Sequence, residues 1–129
     1  MSGLRVEGFL AAGVRCGLKR EGLDLGLIRC LPAAACAGLF TTNRVKAAPV
    51  LLSQERVRSG RCAAVLVNSG NANACTGRRG LDDARALSAR VAELLGVGPE
   101  EVARMLEEDR LRRARGRPTG RRGRDGPKA

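Results

Sequence analysis

The sequence has no histidine, no tryptophan and no tyrosine, and only two phenylalanines among its 129 residues. Without histidine, this chain holds no Ser-His-Asp or Cys-His mechanism and no zinc site built on imidazole. Without large aromatics, a core must be assembled from Ala, Val and Leu, which pack but bring less area each. Long apolar runs are lacking too. The longest uncharged stretches, Cys30–Asn43 and Cys62–Gly77, fall short of the roughly 18 apolar residues that a membrane span needs. One contains Pro32 and the other three asparagines. No basic region followed by an apolar one opens the chain, so no signal peptide and no membrane partner are expected. There is no C-x-x-C pair, and the cysteines at 16, 30, 36, 62 and 75 are odd in number. Reduced, mostly buried thiols in a cytoplasmic protein are expected, rather than a disulfide framework or a metal site.

Acids are scarce as well: 13 Asp and Glu stand against 24 Lys and Arg, for a net charge of +11. The imbalance is uneven. Residues 1–102 carry 14 bases and 9 acids, whereas residues 103–129 carry 10 bases and 4 acids. Past Leu111 the tail has no large apolar residue, only Arg, Gly and Pro with a few small or charged residues. Like charges repel and nothing there can be buried, so a disordered basic tail is expected from about residue 112. Two units follow: 1–102 as a folded portion and 103–129 as a divergent Arg/Gly-rich tail, helical at its start.

Within 1–102 the apolar pattern sets out the elements. Gly8–Val14 is a short apolar run bounded by glycine. Leu23–Leu27 alternates with period two and reads as a strand. Ala37–Thr42, ending in Thr-Thr-Asn, reads as a second strand with a turn after it. Pro49–Leu52 is a further apolar run, after which Ser53 is positioned to cap a short helix that Gly60 stops. Cys62–Val67 suits a strand buried on both faces. Asn68–Gly80 reads as a long loop. In Leu81–Leu95 the residues Ala84, Leu87, Val91, Leu94 and Leu95 recur at helical spacing, with Asp82 and Asp83 in the first turn and Gly96 at the end. Pro99-Glu-Glu then opens another helix. The order β-β-β-α-β-α places the chain in the α/β (α+β) class.

Two stretches carry candidate chemistry. The loop Asn68-Ser-Gly-Asn-Ala-Asn-Ala-Cys-Thr-Gly77 leaves a buried strand and runs to a helix N-terminus, an edge where α/β sheets often bind ligands. The amides of Asn68, Asn71 and Asn73 can hold a carboxylate or orient a reacting carbonyl, with Ser69 and Gly70 beside them. The same asparagines can equally spend their side chains on their own turns. Neither phosphate-binding glycine fingerprint is present. Beyond a strand end, Arg44 and Lys46 can contact an acidic group, or simply be surface charges on a solvated turn. Cys75 near a helix start would be activated if exposed. Without a partner base, a buried, inert thiol is expected.

The runs Phe40-Thr-Thr-Asn-Arg-Val-Lys-Ala-Ala-Pro-Val50 and Val67-Asn-Ser-Gly-Asn-Ala-Asn-Ala-Cys-Thr-Gly77 resemble the amino-terminal part of the bifunctional ornithine acetyltransferase / N-acetylglutamate synthase (glutamate N-acetyltransferase) family. Gly8–Lys19, Gly80–Ala86 and Leu94–Val102 continue the likeness in order. The resemblance implies an incomplete N-terminal part of a layered α-β-β-α fold. It also implies acetyl transfer from N-acetylornithine to glutamate in arginine biosynthesis, with acetyl-CoA as a co-substrate of some members and no cofactor. Such proteins cut themselves into two chains that pair and form oligomers. The new N-terminal threonine is the nucleophile, its own amine the base, and a Thr-Gly pair the oxyanion hole.

After Val102 the likeness ends. The family continues into an apolar strand and the oxyanion segment, whereas here the chain reads Ala103-Arg-Met-Leu-Glu-Glu-Asp-Arg. No threonine follows an alanine as the cleavage site requires. Thr76-Gly77 and Thr119-Gly120 lack the family context, so no catalytic residue transfers. The isolated chain is expected to be inactive, and a frameshift or a false gene call in GC-rich DNA would produce such a tail. The alternative is a small basic nucleic-acid-binding protein acting through its arginines. It lacks Tyr and Trp for base stacking and leaves residues 1–102 unexplained, so no specific nucleic-acid partner is expected.

Overall fold

The computed structural model describes residues 5–70, 73 and 75–107, with side chains as far as Arg104. A four-stranded sheet is built from β1 (Phe9–Val14), β2 (Leu25–Ala35), β3 (Arg61–Ser69) and β4 (Val102–Glu107), in that order across the sheet. β1 and β3 run antiparallel to β2, and β4 runs parallel to β3. The helices are α1 (Ala48–Arg56) and α2 (Gly77–Leu95), the latter being the crossover between the parallel pair. The α/β class therefore stands. The order of regular elements, β-β-α-β-α-β, differs from the expected one.

β2 is longer than its alternating run suggests. Leu25, Leu27 and Arg29 pair with Asn68, Leu66 and Ala64. The register then shifts, and Ala34 and Ala35 pair with Cys62 and Arg61. Pro32 falls inside that irregularity, where a missing N–H costs no ladder bond. The strand expected over Ala37–Thr42 does not form. Cys36 N–H donates to Gly60 O at 2.8 Å, and β3 begins at Arg61, so no partner edge remains for the residues after it.

Pro49–Leu52 is helical. Ala48, Pro49, Leu52 and Ser53 are buried, a spacing that fits one helix face, and Pro49 sits in the first turn where its missing N–H is harmless. Ser53 is thus no cap. Its hydroxyl donates to Arg104 O at 2.6 Å and accepts from Arg104 N–H at 3.0 Å. These bonds tie α1 to the edge strand and satisfy backbone groups that would otherwise be open. Gly60 ends the following 3-10 turn with φ of 71°, as expected of a stop glycine.

α2 begins four residues earlier than the periodicity indicates, so Asp82 and Asp83 lie beyond its first turn. Its buried line is Gly80, Ala84, Ser88 and Ala92, one small residue per turn, which lets the helix lie close to the sheet. Of the expected apolar face, Ala84 is buried, while Leu87 and Leu94 are exposed. Two small cores result. Ala48, Leu52 and Ala84 join α1 to α2, with Leu81 against them. Ala64, Ala92 and Val102 join the sheet to α2, flanked by Leu27, Val91, Leu95 and Val97. Gly96, at φ of 66°, stops α2 as expected.

The helix expected from Pro99 is only a 3-10 turn, Pro99–Glu101, and the chain continues as β4. Val102 is fully buried on Ala64 and Ala92, and Ala64 to Ser69 of β3 supply a ladder for Val102 to Glu107. That pairing outweighs the helical propensity of Ala103-Arg-Met-Leu-Glu107. The folded portion thus passes the expected boundary at 102. The tail beyond residue 107, including the segment expected to be disordered, lies outside the described residues. The thiols are also more open than expected: Cys16 and Cys75 are exposed, and Cys30, Cys36 and Cys62 are half-buried and unpaired.

Candidate ligand-binding cleft

The carboxyl end of β3, the middle of β4 and the first half of α2 enclose a cleft of about 520 Å³. Its polar lining comprises Asn68, Asn73, Thr76, Arg79, Asp83 and Arg104, with Leu18, Leu25 and Leu87 among the apolar wall. This is the crevice where a parallel strand pair feeds a helix.

One wall is fixed by Asp24. Its carboxylate, 2 % exposed, accepts backbone N–H bonds from Cys16 (2.6 Å), Gly17 (3.0 Å), Leu18 (2.7 Å) and Lys19 (3.2 Å). These donors, that of Cys16 foremost, hold its pKa well below the usual carboxylate range despite burial. The same carboxylate pushes the Cys16 thiol up. The loop so formed is clamped to the end of β3. Lys19 Nζ donates to Ser69 Oγ at 3.2 Å, and Ser69 N–H donates to Asp24 O at 2.9 Å. Gly70, at φ of 94°, lies so close that a Cβ would stand 2.8 Å from that of Lys19.

The opposite wall is the lead-in to α2. Asn73 Nδ2 donates to Gly80 O at 2.7 Å, and its Oδ1 accepts from the Thr76 hydroxyl. Ala48 N–H donates to Asn73 O at 3.1 Å. A Cβ on Gly80 would overlap Thr76 Oγ1 and Asn73 Oδ1, so a larger residue there would have to displace those side chains. The floor is Asn68 and Arg104, both buried, with Arg104 Nη2 donating to Asn68 Oδ1 at 2.8 Å. Burial pulls the Arg104 guanidinium below its usual pKa, and its Nε is buried with no hydrogen-bond partner among the described residues.

The structure brings Asn68 and Asn73 to one cleft and sets Ser69 and Gly70 in the clamp behind it. Asn71 lies outside the described residues. Arg44 and Lys46 stand apart from the cleft. They belong to a turn in which Asn43 N–H donates to Thr41 Oγ1 and Asn43 Oδ1 accepts from Val45 N–H. Lys46 Nζ donates to Gln54 Oε1 at 3.3 Å. The positive charge of the cleft comes instead from Arg79 and Arg104. Sequence reasoning assigned Arg104 to the tail, and no pattern in Gly77-Arg-Arg-Gly singles out Arg79. Cys75, expected to be buried, is exposed beside the start of α2 at φ of 58°.

Fold and cleft define a mixed α/β chain with a crevice lined by amides, two arginines and Asp83 at the end of a β-α-β unit. The model of the ArgJ family matches residues 10–106, and the chain belongs to that family. It is 54% identical over 100 residues to the arginine biosynthesis bifunctional protein ArgJ of Geobacter sulfurreducens, covering 77% of this chain and 25% of that one. With the protein of the same name from Caldanaerobacter subterraneus it shares 50% over 96 residues, covering 74% and 24%. The chain thus spans about a quarter of the length of these curated relatives. Among solved structures it is similar to ArgJ from Bacillus halodurans, with a TM-score of 0.75 and 44% identity over 78% of this chain and 53% of that chain. It is equally similar, at 0.75 and 47% identity, to the ornithine acetyltransferase from Mycobacterium tuberculosis complexed with ornithine, over 78% of this chain and 55% of that one.

Proposed function

We propose that residues 10–106 are the N-terminal part of a cytoplasmic glutamate N-acetyltransferase, which moves an acetyl group from N-acetylornithine to glutamate in arginine biosynthesis. The observation that carries this reading is the family match itself, whose Val67–Gly77 motif supplies Asn68 and Asn73 to the cleft. The ornithine held by the similar M. tuberculosis enzyme supports an ornithine-type substrate. Acetyl-CoA serves as a second acetyl donor if the parent is bifunctional, as the relatives' names suggest. The stretch shared with this chain is about 25% of a curated relative but 53–55% of the two crystallised chains. The crystallised chains are therefore about half as long as such a relative, which supports an enzyme that works as two paired chains.

No group in this chain is assigned to the chemical step. Thr76 bonds to Asn73 and Gly77 begins α2, so that Thr-Gly pair is a helix start. The test is a chimera: residues 10–102 of this chain replace the matching segment of the G. sulfurreducens relative. Glutamate-dependent deacetylation of N-acetylornithine at a rate near the parent's supports the reading. A folded chimera with no transfer overturns it.

A further inference from the structure

Arg104 is 7% exposed, and the one described hydrogen bond of its guanidinium, to Asn68 Oδ1, engages one of five side-chain N–H donors. Its Nε has no partner among the described residues. A buried cation ordinarily faces a counter-charge. Among the described residues the ion pairs are Arg85–Glu55 and Arg90–Glu93, and neither involves the cleft. Arg79 and Asp83, one turn apart on α2, line the same space as Arg104 without pairing to each other. The cleft therefore presents two cations and one anion in a volume typical of small-molecule sites. A carboxylate accepts two parallel bonds from a guanidinium, which a neutral amide cannot match.

We infer that Arg104 is the carboxylate anchor of this cleft, with Asp83 as the counter-pole for an ammonium group and Arg79 for a second carboxylate. The charge pattern fits a small dicarboxylic amino acid better than one with a side-chain amine. The choice of probe rests on the acetyl-transfer reading; the anchor itself is judged by binding.

The experiment uses the whole 129-residue chain labelled with ¹⁵N and titrated with L-glutamate, glutarate or butylamine. Saturable shifts are expected at the amides of Asn73, Thr76 and Arg79 with glutamate, and none with butylamine. Arg104→Gln should weaken glutamate at least about tenfold, and Arg104→Lys by less, because lysine keeps the charge but loses the fork. Asp83→Asn should weaken glutamate and leave glutarate unchanged. If Arg104→Gln does not fold, the lysine variant carries the comparison. Equal glutamate affinity in wild type and a folded Arg104 variant overturns the inference, as does an absence of glutamate shifts. The chimera ends at residue 102 and lacks Arg104. An active chimera with no glutamate binding here removes the anchor alone, and an inactive chimera with Arg104-dependent binding removes the transferase reading alone.

Discussion

Ser53→Ala tests whether one hydroxyl holds the edge of the sheet. Ser53 Oγ both donates to Arg104 O and accepts from Arg104 N–H, and Ser53 and Arg104 are 6% and 7% exposed. Alanine keeps the helix propensity of α1 and removes both partners at once. Each buried backbone group left unpaired costs about 1–3 kcal/mol. Partial relaxation of the edge strand toward water argues for the lower half of the combined range, about 2–4 kcal/mol. A domain of this size has roughly 5–15 kcal/mol in all, so the loss is a large fraction. With no Trp or Tyr to report by fluorescence, the assay is urea unfolding followed by far-ultraviolet circular dichroism. At a slope of about 2 kcal/mol/M, the midpoint should fall by about 1–2 M. The Arg104 amide should also exchange at least about tenfold faster than in wild type, since each 1.4 kcal/mol of opening energy is about a factor of ten. A change below about 0.5 kcal/mol, with Arg104 exchange unaltered, would refute the reasoning and show that water replaces the hydroxyl.

Three further outcomes are expected. Asp24 has a folded pKa below its unfolded one, so its contribution is complete above the unfolded pKa, near pH 4, and is lost as pH falls from there toward the folded value. Denaturant titrations from pH 2 to 6 should show that slope in wild type and lose it in Asp24→Asn. Gly80→Ala should lower the melting temperature by at least about 5 °C, the equivalent of roughly 1 kcal/mol, because a Cβ would overlap Asn73 and Thr76. An unchanged calorimetric midpoint would contradict that close approach. In the full-length G. sulfurreducens relative, alanine at the position matching Asn68 should lower turnover about ten- to a thousandfold with little change in melting temperature. The reverse pattern, lost stability with normal turnover, would make the amide structural.

What could be read from the residues was local. Cys62–Val67 is a strand as expected, but not one buried on both faces: Ala63, Ala64 and Leu66 are buried while Cys62, Val65 and Val67 are half-buried. Glycine at positions 60 and 96 stops a helical turn where the chain needs positive φ. Errors arose where a partner decides. Residues 37–42 have strand composition but no edge to join, and residues 102–107 have helix composition but an open edge beside β3. In α2 the large residues suggested a Leu face, whereas close approach to the sheet selects Gly80, Ala84, Ser88 and Ala92. The site was legible in part for the same reason. Asn68 and Asn73 stand out by composition, but Arg104 becomes a cleft residue only once β4 is paired.

The clamp around Asp24 bears on how the cleft works. Four backbone donors converge on a single carboxylate and fix residues 16–19 against the end of β3. Ser69 and Gly70 are engaged in that clamp, and Asn73 is engaged in the lead-in to α2. Asn68, Ser69 and Asn73 of the conspicuous Asn-rich motif therefore shape the floor and walls, and their side chains are already bonded within the chain. A cleft with walls built this way loses little conformational entropy on binding, which favours affinity for a small ligand. The arginines that line it are then free to set which charge is accepted. Arg79 and Asp83 project from a helix held close to the sheet by Gly80 and Ala84. Arg104 is held from the other side by the bonds of Ser53 to its backbone. Ser53→Ala should therefore weaken carboxylate binding as well as the fold, since it loosens the strand that carries the anchor.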